Sequence, residues 1–327
     1  MHPVNSLEDL RLAQPACLTV GAFDGVHRGH QALIGEMVKH AHATGRAAVV
    51  LTFFPHPSVV LRGRRPSFYI STPEEKAEYF AGLGVEAVVT HPFNAEVSQI
   101  TAVDFVERLI RYARLSELWC GDDFALGHKR QGDVTFLQAE GAKRGFTVNV
   151  VPPILIDGEV ISSTRIRQAL RDGAVEQVAR FLGRPFRLPG EVVEGAKRGR
   201  TIGIPTANLA IWEERAIPAV GVYACRAQHH GRPLGRERPL GQSPGDAGSA
   251  YQAVVNIGFR PTFNTAEPRL TVEAHLLDFP AEGNLYGSTL TLEFVAHLRS
   301  EMKFPGVEAL VAQIRSDIES ARQILRV

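Results

Sequence analysis

The chain has 327 residues, 44% hydrophobic and 22% charged, proportions that exclude a disordered or fibrous class. That length is generous for one hydrophobic core and comfortable for two. Lys and Arg total 36 against 35 Asp and Glu, a formal charge of +1, which lacks the basic excess of a general nucleic-acid binder.

Residues 17–23 (CLTVGAF) read as a buried strand, and a helical pattern follows over 29–43. A second strand is predicted over 47–54 (AAVVLTFF), ending at Pro55, His56 and Pro57. Thr72 then opens a helix as N-cap, with Pro73 at N1 and Glu75 at N3. Strand 86–91, helix 102–114 and strand 117–121 continue an alternation that implies a parallel sheet covered on both faces. A strand-like stretch at 150–156 and helices at 163–170 and 175–182 follow.

Beyond about residue 185 the rhythm changes to short extended segments at 189–194, 220–227, 251–257, 270–277 and 290–296. Gly, Pro and Asn punctuate them, as in an antiparallel barrel or sandwich. Residues 229–249 read as a mobile hairpin loop. A final helix over 306–325 carries Val307, Leu310, Val311, Ile314, Ile318 and Ile324 on one side. The expected division is 1–184 and 185–327, with the boundary at 183–188.

Cys17, Cys120 and Cys225 are far apart and odd in number, so neither a disulfide framework nor a structural zinc site is expected. No stretch approaches the roughly 18 apolar residues of a membrane span. Glu8 and Asp9 stand where a signal peptide would be basic and then apolar, so the expected location is the cytoplasm.

Residues 21–30 (GAFDGVHRGH) sit where the first strand meets the first helix, at the ligand-binding edge of a parallel sheet. Glycines let backbone approach a phosphate closely, and the helix N-terminus offers free N–H groups. His27 and His30, bracketing Gly29, can reach one anion. Taken alone, such a pair also reads as capping residues or metal ligands. Residues 161–167 (ISSTRIR) open another helix with hydroxyls and a basic residue one turn on, a second phosphate cradle or a plain N-cap.

In the second half, residues 199–208 (GRTIGIPTAN) link two extended segments. Thr206 and Asn208, two apart in a Pro-restricted stretch, place two oxygen ligands on one side, suited to nucleotide-bound Mg²⁺. Residues 272–279 (VEAHLLDF) alternate as a strand and put the Glu273 carboxylate on one face, where a lone exposed Glu would also stand. Lys197, Arg198 and Arg200 either flank phosphates or form a solvated loop.

The two N-terminal motifs together resemble the nucleotidylyltransferase superfamily with its H-x-G-H signature. The closer resemblance is to the FMN adenylyltransferase module of prokaryotic bifunctional riboflavin kinase/FAD synthetases. That family's further motifs look like residues 52–57 (TFFPHP), 121–127 (GDDFALG) and 130–133 (RQGD). The C-terminal half resembles the riboflavin kinase domain through residues 203–208 (GIPTAN), 221–223 (GVY), 256–263 (NIGFRPTF), 273–279, and Leu298 and Arg299 before Phe304.

The resemblance implies a Rossmann-like α/β domain followed by a riboflavin kinase-like antiparallel β-barrel with a terminal helix. It implies riboflavin and ATP giving FMN and ADP in the second domain, then FMN and ATP giving FAD and diphosphate in the first. By resemblance, His27 and His30 are catalytic, and Gly21, Phe23, Asp24, Gly25, Ser163, Thr164 and Arg167 join them in binding ATP. In the second domain Glu273 is the base, while Gly203, Pro205, Thr206 and Asn208 bind ATP, the last two also holding Mg²⁺. Asp123, Gly221, Tyr223 and Arg260 are the implied flavin contacts. Asp123 stands where some members carry Asn, and His56 reads as a ligand contact or a turn residue. ATP, riboflavin, FMN and FAD are the implied partners, with no nucleic acid or membrane; the oligomeric state stays open.

Overall fold

The computed structural model describes residues 2–63, 67–156, 158–195, 199, 202–230, 249–260, 269–280 and 283–326. The chain divides into two compact units, Met1–Arg165 and Ile166–Val327.

The first unit contains β1 (His2–Val4), β2 (Ala16–Val20), β3 (Ala47–Phe54), β4 (Ala87–Pro92) and β5 (Leu115–Gly121). A small hairpin of β6 (Ala125–Leu126) and β7 (Gly132–Asp133) follows, then β8 (Thr147–Val151) and a second hairpin, β9 (Leu155–Ile156) with β10 (Glu159–Val160). Six strands form one all-parallel sheet in the order β1-β4-β3-β2-β5-β8. The helices are α1 (Arg28–Ala43), α2 (Pro57–Arg62), α3 (Pro73–Gly82), α4 (Ala95–Ser98), α5 (Ala102–Ala113) and α6 (Val134–Arg144).

Apolar runs in β2 and β3 bury both sheet faces, as a parallel sheet requires. Leu18, Val20, Val49 and Leu51 pack with Phe105, Leu109 and Leu137, whereas Cys17, Ala48 and Val50 pack with Ile34, Met37 and Phe80. The Thr72 hydroxyl accepts from Glu75 N at 3.2 Å and the Glu75 carboxylate accepts from Thr72 N at 2.8 Å, completing the expected cap of α3. The short β1, α2 and α6 are additions to the sequence reading. Because β3 lies on one side of β2 and β5 on the other, a crevice opens at their C-terminal ends.

Helix α7 (Ser163–Arg171) runs across the division, and α8 (Val175–Leu182) belongs to the second unit, where His297 N donates to the Glu176 carboxylate at 3.0 Å. The unit's strands are β11 (Phe186–Val193), β12 (Ala207–Ala210), β13 (Gly221–His230), β14 (Ala250–Arg260), β15 (Arg269–Leu276) and β16 (Thr289–Arg299). They close an antiparallel barrel in the order β11-β12-β15-β14-β13-β16. In its core the Phe186 and Phe294 rings lie tilted at 6.0 Å, and Tyr223 meets Phe294 edge-on at 5.3 Å.

Helix α9 (Val307–Leu325) lays Ala321 and Leu325 on Val222, Ala224 and Val254 outside the barrel. Ile318 of the predicted stripe packs there too, whereas Val307 and Ile324, which periodicity puts on the same side, are exposed. Asp317, on this helix, is 4% exposed and accepts from the Arg299 guanidinium at 2.8–3.1 Å. Most of the predicted hairpin loop, residues 231–248, lies outside the described residues.

Candidate active sites

In the first unit the chain leaves β2 through a turn with Phe23, Gly25 and Val26 at φ of 47°, 82° and 39°, the left-handed region. Gly25 needs its missing side chain as well, since a Cβ there would lie 2.8 Å from Ile70. The Asp24 carboxylate, 2% exposed, accepts from Ile70 N at 3.0 Å and Ser71 N at 3.1 Å, so it fastens the turn to the 70–71 segment. The Asp24 carbonyl accepts from the Ser163 hydroxyl at 2.9 Å, tying the start of α7 to the same turn.

His27 caps α1, its Nδ1 accepting from His30 N at 3.4 Å, and the two imidazoles stack at 3.5 Å. The Phe23 ring meets the His30 ring edge-on at 5.1 Å. Buried His30 Nδ1 has no hydrogen-bond partner among the described residues. Burial, followed by the neighbouring His27 and Lys76, holds His30 well below the ordinary histidine range, so its ring is neutral at pH 7.

A cavity of about 540 Å³ opens at the C-terminal ends of β2, β5 and β8. Of the residues expected to bind ATP or flavin here, Gly21, Phe23, Asp24, His27, His30, Asp123 and Ser163 line it. Gly25 and Thr164 are outside the lining: Gly25 shapes the turn, and Thr164 follows Ser163 on α7. Arg167 lies one turn further along that helix and belongs to the second unit. His56 caps α2, accepting from Ser58 N at 3.0 Å, which is the turn role of its two readings.

Sequence reasoning missed Lys76. It is 5% exposed, and its ammonium donates to the Ala22 carbonyl at 3.0 Å and to the Thr52 hydroxyl at 2.9 Å. Burial pushes it down to about 8, against the opposing pull of Asp24 and Glu74. On an amphipathic helix a single Lys reads as a solvated residue, so the chain carried no signal of this.

In the second unit, residues 207–210 form β12 instead of the expected link, so Asn208 is fixed in a ladder. Register places Asn208 opposite Glu273 of β15, and Glu273 opposite Asn256 of β14. The neighbours Ala207, Leu209, Val272 and Ala274 are buried, leaving this polar row half-buried on the other face. Gly195 lies against the Asn208 amide, where a Cβ would come 2.8 Å from its Oδ1.

A second cavity, about 710 Å³, is lined by Gly203, Pro205, Thr206, His275, Phe279 and Tyr286 among others. The His275 Nδ1 donates to the Pro205 carbonyl at 2.7 Å and fixes that wall. Asn208 and Glu273 lie outside its lining, on the strands that continue from it.

Tyr223, implied as a flavin contact, is fully buried instead, its hydroxyl donating to the Ala219 carbonyl at 2.6 Å. Burial pushes that phenol above its ordinary range. Gly221 gives close backbone contact, since a Cβ there would lie 2.7 Å from His297 Nε2. Only the backbone of Arg260 is described, paired with Arg269 at the end of β14, and Lys197, Arg198 and Arg200 lie outside the described residues.

Cys17, His40 and Glu117 bring potential ligand atoms within 4.8 Å. The Glu117 carboxylate there is engaged by Arg46 at 3.3 Å, His40 at 3.0 Å and Asn149 at 2.9 Å, and burial pushes the Cys17 thiol up to about 11. Those contacts describe an ion-pair network in a sheet core.

Two family models match the chain: one described as FAD synthetase over residues 10–165, the other as riboflavin kinase over residues 182–325. A bifunctional riboflavin kinase/FMN adenylyltransferase from Listeria monocytogenes is 37% identical over 322 residues, covering 98% of this chain and 95% of the relative. The protein of the same description from Pseudomonas fluorescens is 35% identical, covering 99% and 98% of the two chains. That from Escherichia coli K12 is 36% identical, covering 99% and 97%. A crystal structure described as a macrolide-efflux protein from Streptococcus pneumoniae superposes with a TM-score of 0.82 at 30% identity, covering 98% of each chain. Among the described residues no helix is long and apolar enough to cross a membrane.

Proposed function

The chain belongs to the bifunctional riboflavin kinase/FMN adenylyltransferase family, and we propose that its two sites divide the family's two reactions by the chemistry each can perform. The second unit phosphorylates riboflavin with ATP to FMN and ADP; the first transfers AMP from ATP to FMN, giving FAD and diphosphate.

The observation that carries the assignment of residues is the contrast between the two sites. FMN already bears an ionised phosphate, a competent nucleophile towards the α-phosphorus of ATP. The first site therefore has only to align two anions and stabilise charge on the leaving oxygens. The stacked His27 and His30 and the backbone of the turn supply donors there, while the Ser163 hydroxyl, given to the Asp24 carbonyl, braces that turn. Thr164 extends the donor set at the start of α7.

Riboflavin presents a neutral primary hydroxyl, so phosphorylation needs a proton acceptor in place. Glu273 is that base, held by its strand register beside Asn208. Thr206 and Asn208 offer a hydroxyl and an amide oxygen, the hard donors that Mg²⁺ takes, and magnesium arriving with ATP supplies neutralisation of phosphate charge. Gly203 and Pro205 shape the nucleotide wall, and Gly221 and Arg260 are the flavin contacts; Asp123 serves the flavin in the first site. The free thiols of Cys17, Cys120 and Cys225 support a reducing, cytoplasmic setting.

Incubating the purified chain with riboflavin, ATP and Mg²⁺ and resolving flavins over time tests the reading. FMN should rise and then give way to FAD. Accumulation stopping at FMN would sink the transferase half; FAD from added FMN but no FMN from riboflavin would sink the kinase half.

A further inference from the structure

A buried lysine needs a reason, because an ammonium ion pulled from water is costly where a Met or Leu of similar size would pack freely. Lys76 is 5% exposed, and its two hydrogen bonds go to the backbone just after β2 and to a side chain on β3. The Thr52 hydroxyl it binds in turn donates to the same Ala22 carbonyl at 3.0 Å. Two donors therefore draw that one carbonyl beneath the turn.

A trans peptide places its oxygen and its hydrogen on opposite sides. Drawing the Ala22 oxygen towards Lys76 accordingly aims the Phe23 N–H the other way, and Ala22 and Phe23 line the first cavity. Phe23 sits at φ 47°, a conformation that costs a non-glycine residue energy unless its surroundings impose it. Resting on the adenylyltransferase reading above, we propose that Lys76 is a positioning residue for adenylyl transfer: it anchors the Ala22 carbonyl, holds the strained turn, and so presents the Phe23 N–H to the nucleotide phosphates.

The charge has a second effect. Asp24 and Glu74 face the ammonium with opposite charge, while His30, with His27 stacked on it, lies close enough for Lys76 to disfavour its protonation. A fixed cation thus underlies the anion site while disfavouring protonation of His30 above it.

The test uses the full chain, with riboflavin phosphorylation as an internal measure of folding. In Lys76→Met, kcat for FAD formation from FMN should fall about 100-fold, the effect of a misplacement of about 1 Å, while FMN formation from riboflavin changes less than about twofold. Lys76→Arg, which keeps charge and donors, should recover at least about tenfold of that loss. The wild-type rate should decline as pH rises through about 8, where Lys76 releases its proton, and that decline should vanish in Lys76→Arg. An unchanged kcat in Lys76→Met, an equal fall in both activities, or the same alkaline decline in Lys76→Arg would overturn the proposal. A wild-type chain that makes no FAD would instead overturn the reading of the site on which it rests.

Discussion

Replacing Gly195 by Ala should silence the kinase without disturbing the transferase. A Cβ at 195 would lie 2.5 Å from Asn208 Cγ and 2.8 Å from its Oδ1. Carbon atoms rest at about 3.5–4.0 Å, so the amide must move by about 1 Å. Asn208 cannot follow by sliding its backbone, because it is paired with Val193 on one side and Glu273 on the other. The nearest atom is the amide nitrogen, so the whole amide must turn and carry its oxygen from the place proposed for magnesium-bound nucleotide. A 1 Å error near reacting groups is worth about 100-fold, or about 2.7 kcal/mol of transition-state stabilisation. Initial rates of FMN formation from riboflavin measure it, with FAD formation from added FMN as the control expected to stay level. A Gly195→Ala chain that phosphorylates riboflavin within about threefold of wild type would refute the role given to Asn208.

Glu273→Gln should abolish FMN formation and leave FAD formation from FMN intact, with the mirror image in the His27→Ala, His30→Ala double variant; loss of both activities in either chain would show that the sites are not independent. Asp24→Ala strands the buried N–H groups of Ile70 and Ser71, each costing about 1–3 kcal/mol, so urea unfolding should show the first unit weaker by about 2–6 kcal/mol. Lys76 shifts from the ordinary 10.5 to about 8 on folding, so between those values the unfolded chain holds a proton that the folded chain has released. Stability should therefore rise with pH across that window, by up to about 3 kcal/mol relative to Lys76→Met; equal slopes for the two chains in denaturant titrations at pH 7.5, 9 and 10.5 would refute it.

Those elements whose period coincides with their burial were readable in the chain. The amphipathic residues 102–113 and 175–182 form helices within a residue of their predicted bounds, and Thr72 caps α3 as its neighbours Pro73 and Glu75 indicate. Helix α6 escaped because Gly141 and a scatter of polar residues blur its apolar stripe; its start is set by the Asp133 side chain accepting from Phe136 N at 2.8 Å. Strand β12 escaped because only four residues, 207–210, form it, and the Pro205 before it reads as a loop. The histidine pair was legible as a motif, yet its stacking and the lowered basicity of His30 depend on burial, which no local pattern carries. Tyr223 shows the converse: a motif residue whose place in a family pattern says nothing of whether its ring faces a ligand or the barrel core.

The row Asn208, Glu273 and Asn256 is stitched from three strands of a closed cylinder, and side chains on a strand alternate with a period of two. Slipping β15 by a single residue would turn the Glu273 carboxylate towards the side now held by Val272 and Ala274, and closure leaves no free edge to absorb the slip. Insertions or deletions within residues 207–210, 250–258 or 270–276 are therefore barred to evolution more strictly than most substitutions there. A change of length that keeps the carboxylate in place must fall in the connections, so the spacing that delivers it can be inherited only whole.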